Sequence, residues 1–378
     1  MKKRWYAGLL SLVLAAVLTG CGTGGGSVSV EDTAVVTAAE SGTTAEGVSP
    51  GAPAEPREQI FTDSAGREVI LPAEIERVAV SGPLAQVVLY TFAPERLVGF
   101  SGEWSKEAEE YIPEEYFRLP VLGQLYGGKG ELNLEALQKA APDVVIDVGE
   151  SKKTIREDLD TLQEQTGLPF IHIEATTETM GDAYRMLGEL LRMKERGEIF
   201  AGYCEEKYSA AQEIAEKAGE NKKRILYVLG EEGHNVLARG SFHAEILDML
   251  ADNVAVVEDP SSKGSGNEVD MEQILSWDPE VILFAPDSIC DKVQELEEWK
   301  ALTAVKNGAY YEVPSGPYNW MGFPPSVQRY LGMMWLEKIL YPELSEFSLK
   351  EEVQKYYQMF FHTELTEEQY EKLTGRTD

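Results

Sequence analysis

Short apolar runs alternate with helical patterns along this chain, and the alternation runs through twice. Arg77-Val78-Ala79-Val80-Ser81 reads as a strand that leads through Gly82-Pro83 into a helical Leu84 to Phe92. Leu97-Val98-Gly99-Phe100 follows as a second strand, and Asn133 to Ala140 as a short helix capped by Asn133. Val144 to Val148 is a strand ending at Gly149, followed by a helix from Lys152 to Thr166 and a strand from Pro169 to Ile173. Apolar runs of this length, bounded by turn residues and separated by helices, belong to a mostly parallel sheet covered on both faces.

From Met180 to Ala218 the pattern stays helical. Ala183, Met186, Leu187, Leu190 and Leu191 recur at helical spacing. After Glu195-Arg196-Gly197 the stretch Glu198 to Ala218 carries Phe200, Cys204, Tyr208, Ala211 and Ile214. This second stretch is about 30 Å long at helical rise, enough to cross a molecule of this size. The alternation then restarts. Strands are expected at Arg224–Leu229, Val281–Phe284 and Tyr310–Val313, and helices at Ser241–Ala251, Met271–Trp277 and Ser326–Ile339. Two tail helices, Lys350–Phe361 and Thr366–Leu373, are expected to pack on the second half.

An internal echo supports a double structure. Leu134-Glu135-Ala136-Leu137 leading to Ala141-Pro142-Asp143-Val144-Val145-Ile146 is matched by Met271-Glu272-Gln273-Ile274-Leu275 leading to Asp278-Pro279-Glu280-Val281-Ile282. Both read helix, X-Pro-acid, apolar strand, with one Glu in register. X-Pro before a strand is also a common joint, since the residue ahead of Pro avoids helical backbone.

The N-terminus reads as an address. Lys2, Lys3 and Arg4 precede an apolar run from Ala7 to Leu18 that is too short to span a bilayer well. Leu18-Thr19-Gly20-Cys21 resembles the lipobox of bacterial lipoproteins, which implies that Cys21 is acylated and becomes the mature N-terminus. From Gly22 to about Arg57 the chain is Gly, Ser, Thr, Ala, Pro and Glu, which cannot bury enough surface to offset ordering entropy; a flexible tether is expected. The formal charge of −31 argues against nucleic acid and against a bare anionic membrane. Beyond Cys21 only Cys204 and Cys290 remain, in segments expected to lie apart, so free thiols are expected.

Further marks appear in order. Phe61-Thr62-Asp63-Ser64-Ala65-Gly66-Arg67-Glu68-Val69 is followed by Pro72 and Arg77-Val78. Asn133-Leu134-Glu135 stands before Pro142-Asp143, and Met271-Glu272-Gln273 before Pro279. Trp299-Lys300, Leu302 and Val305-Lys306-Asn307-Gly308 precede Tyr310. From about Phe61 onward the chain resembles the iron-siderophore, haem and cobalamin group of periplasmic-type solute-binding proteins. The resemblance implies an N-terminal hairpin, then two α/β lobes, each a mostly parallel sheet flanked by helices, joined by a single long helix with the ligand in the cleft between them. It also implies that Glu135 and Glu272 meet arginines of a membrane permease; read from the residues alone, they are equally two solvated helix glutamates. The organisation expected is a lipoprotein signal at 1–20, a tether at 21–58, an N-terminal lobe at 59–195, a linking helix at 196–219, a C-terminal lobe at 220–343 and C-terminal helices at 344–378.

In open α/β sheets ligands bind off the carboxyl ends of strands. Those loops here are Ser81-Gly82-Pro83, Ser101 to Trp104 and Gly149-Glu150, then Gly230 to Asn235, Arg239 to His243 and Ser315 to Trp320, with Leu125 to Lys129 beside them. Trp104, Tyr126, Tyr318 and Trp320 sit in polar or Gly/Pro-bearing loops, where they serve either a flat ligand or local packing. Arg239 and Ser241 beside a helix start suit an anion, or Ser241 is a plain cap. His243 and Arg329 complete the candidates, Arg329 facing ligand or merely sitting on the last helix. Four histidines without metal-site spacing disfavour a bare-metal receptor and fit a metal that arrives in its own chelate.

The expectation is therefore a monomeric, lipid-anchored receptor on the outer face of the bacterial cytoplasmic membrane. Its partners are ABC permease subunits with their ATPase and a small metal chelate, with ferric siderophore ahead of cobalamin, haem, molybdate or tungstate. No cofactor is expected. No phosphate loop, cysteine cluster or nucleophile motif favours an enzyme, although the resembled architecture also occurs in chelatases; an adhesin or scaffold is the third class weighed.

Overall fold

The structure is a computed structural model that describes residues 58–126, 131–286 and 288–375. The signal segment, Cys21 and the tether lie outside the described residues, apart from Glu58, which opens β1. Strands β1 (Glu58–Thr62) and β2 (Glu68–Pro72) form an antiparallel hairpin in which Phe61 opposes Val69. Buried Arg67 pins it to the first lobe, meeting Asp63 at 3.1 Å, Asp160 at 2.8 Å and the Phe170 carbonyl at 2.8 Å.

Strand β3 (Val78–Val80) runs through Ser81 and Gly82 into α1 (Pro83–Phe92), with Pro at the first helical position, where its fixed φ suits the turn. Next come α2 (Leu134–Ala140), β4 (Val144–Gly149), α3 (Ile155–Thr166) and β5 (Phe170–Glu174). The sheet order is β3-β4-β5, all parallel, and β4 is buried along its whole length. The strand expected at Leu97–Phe100 is not a ladder. Leu97 bridges Val78 and Phe100 bridges Val121, and a Cβ at Gly99 would fall 2.6 Å from the Leu122 side chain and 2.7 Å from the Pro120 carbonyl.

Helix α4 (Met180–Leu190) and helix α5 (Lys194–Ala218) are separated at Leu191–Met193, where Arg192 has a φ of 57°. The break expected at Glu195–Gly197 lies instead inside α5. A Cβ at Gly197 would come 2.8 Å from the Tyr184 carbonyl and 3.1 Å from the Gly188 Cα, so the two glycines serve close crossing rather than termination. At helical rise α5 is about 37 Å long. It packs on α4 and α1 in the first lobe, and in the second on α6 (Glu245–Leu250) and the late helix 329–340.

The second lobe is built from β6 (Arg224–Leu229), β7 (Asn235–Val236), α6, β8 (Asp252–Asn253), β9 (Asn267–Glu268), α7 (Met271–Trp277) and β10 (Val281–Phe284). It continues through α8 (Thr303–Lys306), β11 (Tyr310–Glu312) and α9 (Arg329–Leu340). Parallel β11-β10-β6 is its centre, β8 runs parallel to β6, and the very short β7 and β9 add an antiparallel edge. The helix expected from Ser241 starts only at Glu245, behind a single tight turn at Phe242–Ala244.

The outer face of each sheet has its own apolar cluster, with Leu137, Val145 and Leu159 in the first lobe and Leu226, Ile274 and Ile282 in the second. The inner faces share one cluster that continues through α4, α5, α9 and α10 (Leu349–Phe360). The C-terminal helices α10 and α11 (Glu367–Thr374) were expected on the second lobe alone, and they hold both. Tyr357 donates to the Gly316 carbonyl, Tyr90 of α1 donates to the Phe361 carbonyl at 3.2 Å, and Lys372 pairs with Glu110 at 2.6 Å. Cys204 and Cys290 are unbridged, the first buried and the second half-buried.

Candidate ligand-binding cleft

Strands β3 and β4 end side by side, and their carboxyl ends open into a cavity of about 430 Å³. The first lobe contributes Ser81 to Ala85 at the start of α1, Asp147 to Glu150 at the end of β4, and Tyr126 and Lys152. The second lobe contributes Phe242, His243, Ser262, Pro324 and Pro325. The cavity is thus walled by both lobes at the place where open α/β sheets take their ligands.

A buried polar chain fixes the first wall. Ser81 donates to one Asp147 oxygen at 2.5 Å, and the other Asp147 oxygen lies 2.8 Å from His172 Nδ1. His172 Nε2 is 3.0 Å from the Ser151 hydroxyl, which lies 3.1 Å from Glu174. Ser81 is therefore committed to Asp147, and its proton is not offered to the cavity. Tyr126 donates to Asp158 at 2.5 Å, and the Lys152 ammonium lies 3.7 Å from the centre of the Tyr126 ring. Lys152 has no ion-pair partner among the described residues. Burial lowers its pKa, opposed by the charges of Asp147 and Asp158. Burial raises the pKa of Glu150 on the rim, with Glu245 acting in the same direction and Arg329 against it.

On the second wall His243 stacks on Phe323 with ring centres 4.9 Å apart. Burial, reinforced by Arg329 and opposed by a hydrogen bond to the Gly322 backbone, holds its imidazole below the ordinary value. Its Nδ1 is buried without a hydrogen-bond partner among the described residues. Behind it Arg329 is buried, donating to Thr177 at 3.0 Å and the Phe242 carbonyl at 2.7 Å and pairing with Glu245. Arg329 is a strut beneath the cleft that ties α9 to α6 and to the loop before α4.

The other candidates fall elsewhere. Trp320 is 0% exposed and belongs to the shared core. Trp104 packs among Phe100, Tyr90 and Tyr318, while Gln86 donates to the Tyr318 hydroxyl at 3.2 Å, so both rings serve the join between lobes. Arg239 lines a different depression with Lys222 and Asp248, and pairs with Asp252. Ser241 is buried, and its hydroxyl neither caps the following turn nor finds a partner among the described residues. Gly127 to Lys129 lie outside the described residues. Lys152 was missed because it was read as the start of a helix; α3 begins only at Ile155, which leaves Lys152 on the loop after Glu150.

Glu135 and Glu272 are exposed in the first turns of α2 and α7, one on each lobe. Asn133 and Asp270 cap these helices, accepting from Ala136 at 2.9 Å and Gln273 at 2.8 Å. Among the described residues no group of three or more His, Cys, Asp or Glu is placed to hold a metal ion, and no helix is long and apolar enough to cross a membrane.

The periplasmic binding protein family matches residues 86–317, more than half of the chain. The molybdate-binding protein MolA of Haemophilus influenzae is 25% identical over 336 residues, covering 81% of this chain and 92% of its own. The Fe(3+)-citrate-binding protein YfmC of Bacillus subtilis is 27% identical over 193 residues, covering 49% of this chain and 58% of its own. Among solved structures, an ABC transporter solute-binding protein from Sulfurospirillum deleyianum superposes with a TM-score of 0.76 at 27% identity, covering 83% of this chain and 98% of that one. These relatives are binding proteins rather than enzymes. With two α/β lobes, a connecting helix and a cleft walled by both, the chain belongs to the periplasmic binding protein family and is a substrate-binding component of an ABC importer.

Proposed function

We propose that this protein is a lipoprotein held by Cys21 on the outer face of the bacterial cytoplasmic membrane, where it captures a small anionic metal chelate. Ferric siderophore is the first choice. Residues 1–20 are the signal, the tether ends before β1 opens at Glu58, and α5, Lys194–Ala218, is the linking helix between the lobes. Glu135 and Glu272 dock the loaded protein, as a monomer, on permease subunits served by an ATPase.

Lys152 carries the reading. It is a cation on the wall of a largely apolar cavity, steadied by an aromatic face and without a protein carboxylate in salt-bridge contact among the described residues. The side chain is exposed at the edge of the cavity, so its charge is open to a ligand, and an anionic group beside it completes a charge-assisted pair. The volume of about 430 Å³ falls in the range of small-molecule sites, about 300–1,000 Å³. It far exceeds what a bare ion fills. The iron-citrate relative supports a chelate.

A molybdate or tungstate receptor is the second reading, favoured by the relative that matches 92% of its own length. Native mass spectrometry with metal analysis, on protein purified from its own source, separates the two. Iron together with an organic mass is the expected result. Molybdenum or tungsten without an organic mass replaces the first reading with the second, and protein that takes up neither class on titration refutes both.

A further inference from the structure

The polar chain behind the first wall has the layout of an activated nucleophile. Strands β4 and β5 run parallel with Asp147 beside His172, and the loop that follows β4 brings Ser151 to the same imidazole. Ser151 Oγ lies 3.0 Å from His172 Nε2, and His172 Nδ1 lies 2.8 Å from Asp147 Oδ2. Hydroxyl, imidazole and carboxylate in that order are recognised by geometry rather than by the residues around the serine. Gly149-Glu150-Ser151-Lys152-Lys153 lacks the second glycine of a strand-to-helix nucleophile turn, so no motif marks the site.

The hydrogen bonds fix the tautomer. Asp147 already accepts the Ser81 proton on Oδ1, and its carboxylate takes a second donor, the imidazole, on Oδ2. Nδ1 therefore carries the proton, and Nε2 is left as an acceptor facing Ser151. His172 is 0% exposed and Asp147 is buried, so both are held in place, whereas Ser151 is exposed. The hydroxyl has a second acceptor in the Glu174 carboxylate at 3.1 Å, so both groups that face it draw its proton away. Glu150 and Lys152, on either side of Ser151 in sequence, line the cavity. The Lys152 N–H donates to no group among the described residues and is open to charge that develops on an attacked carbonyl oxygen.

We infer that Ser151 is a nucleophile toward a carboxylic ester presented at the rim of the cleft, with His172 as its base and Asp147 as a positioning residue. Ser151 Oγ bonds to the acyl carbon while its proton passes to His172 Nε2. The ester C–O bond breaks, and the departing alcohol oxygen takes that proton. Water then attacks the acyl-serine, giving a proton to Nε2 as its oxygen bonds to the acyl carbon. The acid leaves, and Ser151 Oγ recovers the proton. One ester and one water become one acid and one alcohol. This activity is additional to ligand capture and does not depend on which chelate the cleft takes.

The test uses the purified protein with two probes, a biotinylated alkyl fluorophosphonate and p-nitrophenyl butyrate. The fluorophosphonate should form an adduct on the wild-type peptide that holds Ser151, with loss of fluoride, and none there in Ser151→Ala. Hydrolysis of the butyrate ester should fall at least about tenfold in Ser151→Ala. Asp147→Asn should slow adduct formation at least about tenfold near neutral pH, and the deficit should close at high pH, where hydroxide replaces the imidazole as base. A deficit that stays constant with pH would give Asp147 a merely structural part and overturn its positioning role. A wild type without an adduct at Ser151, or Ser151→Ala hydrolysing the ester at the wild-type rate, overturns the nucleophile. Where a variant folds poorly, the position of the wild-type adduct decides alone. A protein that takes up ferric citrate or molybdate and gains no adduct keeps the receptor reading and loses this one.

Discussion

Arg77 and Arg224 hold equivalent places in the two lobes. Arg77, just ahead of β3, donates to the carbonyls of Ala141 and Ala140 at the end of α2. Arg224, the first residue of β6, donates to the carbonyls of Asp278 and Trp277 at the end of α7. The backbone N–H of each arginine is taken by the acid of the X-Pro-acid joint, Asp143 at 2.9 Å and Glu280 at 3.0 Å. Each acid's own N–H returns to the arginine's carbonyl, at 2.8 and 2.9 Å. The same stitch is made twice, and each time it fastens the helix that displays the exposed glutamate.

The last carbonyls of a helix lack intrahelical donors and favour a cation. Arg77→Ala and Arg224→Ala should therefore each lower stability by about 1 kcal/mol. Lysine should recover only part of that, since it cannot span two carbonyls with a planar fork. Urea unfolding of the four single variants checks this, and alanine variants as stable as the wild type would show that the stitch is ornamental.

Glu135 and Glu272 stand in exposed first turns on helices fastened in the same way, so their carboxylates are held at a fixed separation on one body. Paired charges of this kind set docking orientation and encounter rate more than they set stability. Glu135→Lys and Glu272→Lys should each depress uptake and together abolish it. Ligand affinity should be unchanged and stability should shift by no more than about 0.5 kcal/mol. Uptake by the double variant at the wild-type rate would remove the docking role.

Lys152 offers a sharper contrast. Lys152→Met keeps the stem over Tyr126 and removes the charge, so affinity for an anionic ligand should fall about ten- to a hundredfold with no loss of thermal stability. Arg239→Met should leave affinity unchanged, because Arg239 spends its charge on Asp252 at another face. A calorimetric titration in which Arg239→Met is the damaged variant would relocate the site.

The two-lobe plan was legible because it repeats in covalent terms. A cap residue, a Glu in the first turn and an X-Pro-acid joint occur twice at matching intervals, and the hydrogen bonds of Asn133, Asp270, Asp143 and Glu280 explain why those residue types are needed. Edge strands such as β7 to β9 are two residues long and leave no periodicity to read. In the cleft, the entry to α1 and His243 were legible from the rule that loops follow strand ends. Trp104, Tyr318 and Trp320 were not, because an aromatic residue in a Gly/Pro-rich loop looks the same in sequence whether it faces solvent or fills the join between lobes. Lys152 was hidden by Lys153 beside it, since adjacent lysines before a helix read as a solvated start. The reach of α10 and α11 across both lobes depends on contacts such as Glu110 with Lys372, which no local pattern announces.

Glu337 makes stability depend on pH in an unusual direction. It lies on α9, 2% exposed, and burial pushes its carboxyl up to about 8, with Lys207 and Lys338 opposing the shift. In the unfolded chain the same group releases its proton near 4.5. Between those values the folded protein holds one proton more than the unfolded chain, so this group's contribution is full below the unfolded pKa and is lost as pH rises toward 8. The slope from one proton is about 1.4 kcal/mol per pH unit. Glu337→Gln keeps the shape and cannot ionise, so its melting temperature relative to the wild type should rise steadily from pH 5 to pH 8. A difference that stays constant over that range would mean that Glu337 is already ionised in the folded protein, with Lys207 or Lys338 as its counter-charge.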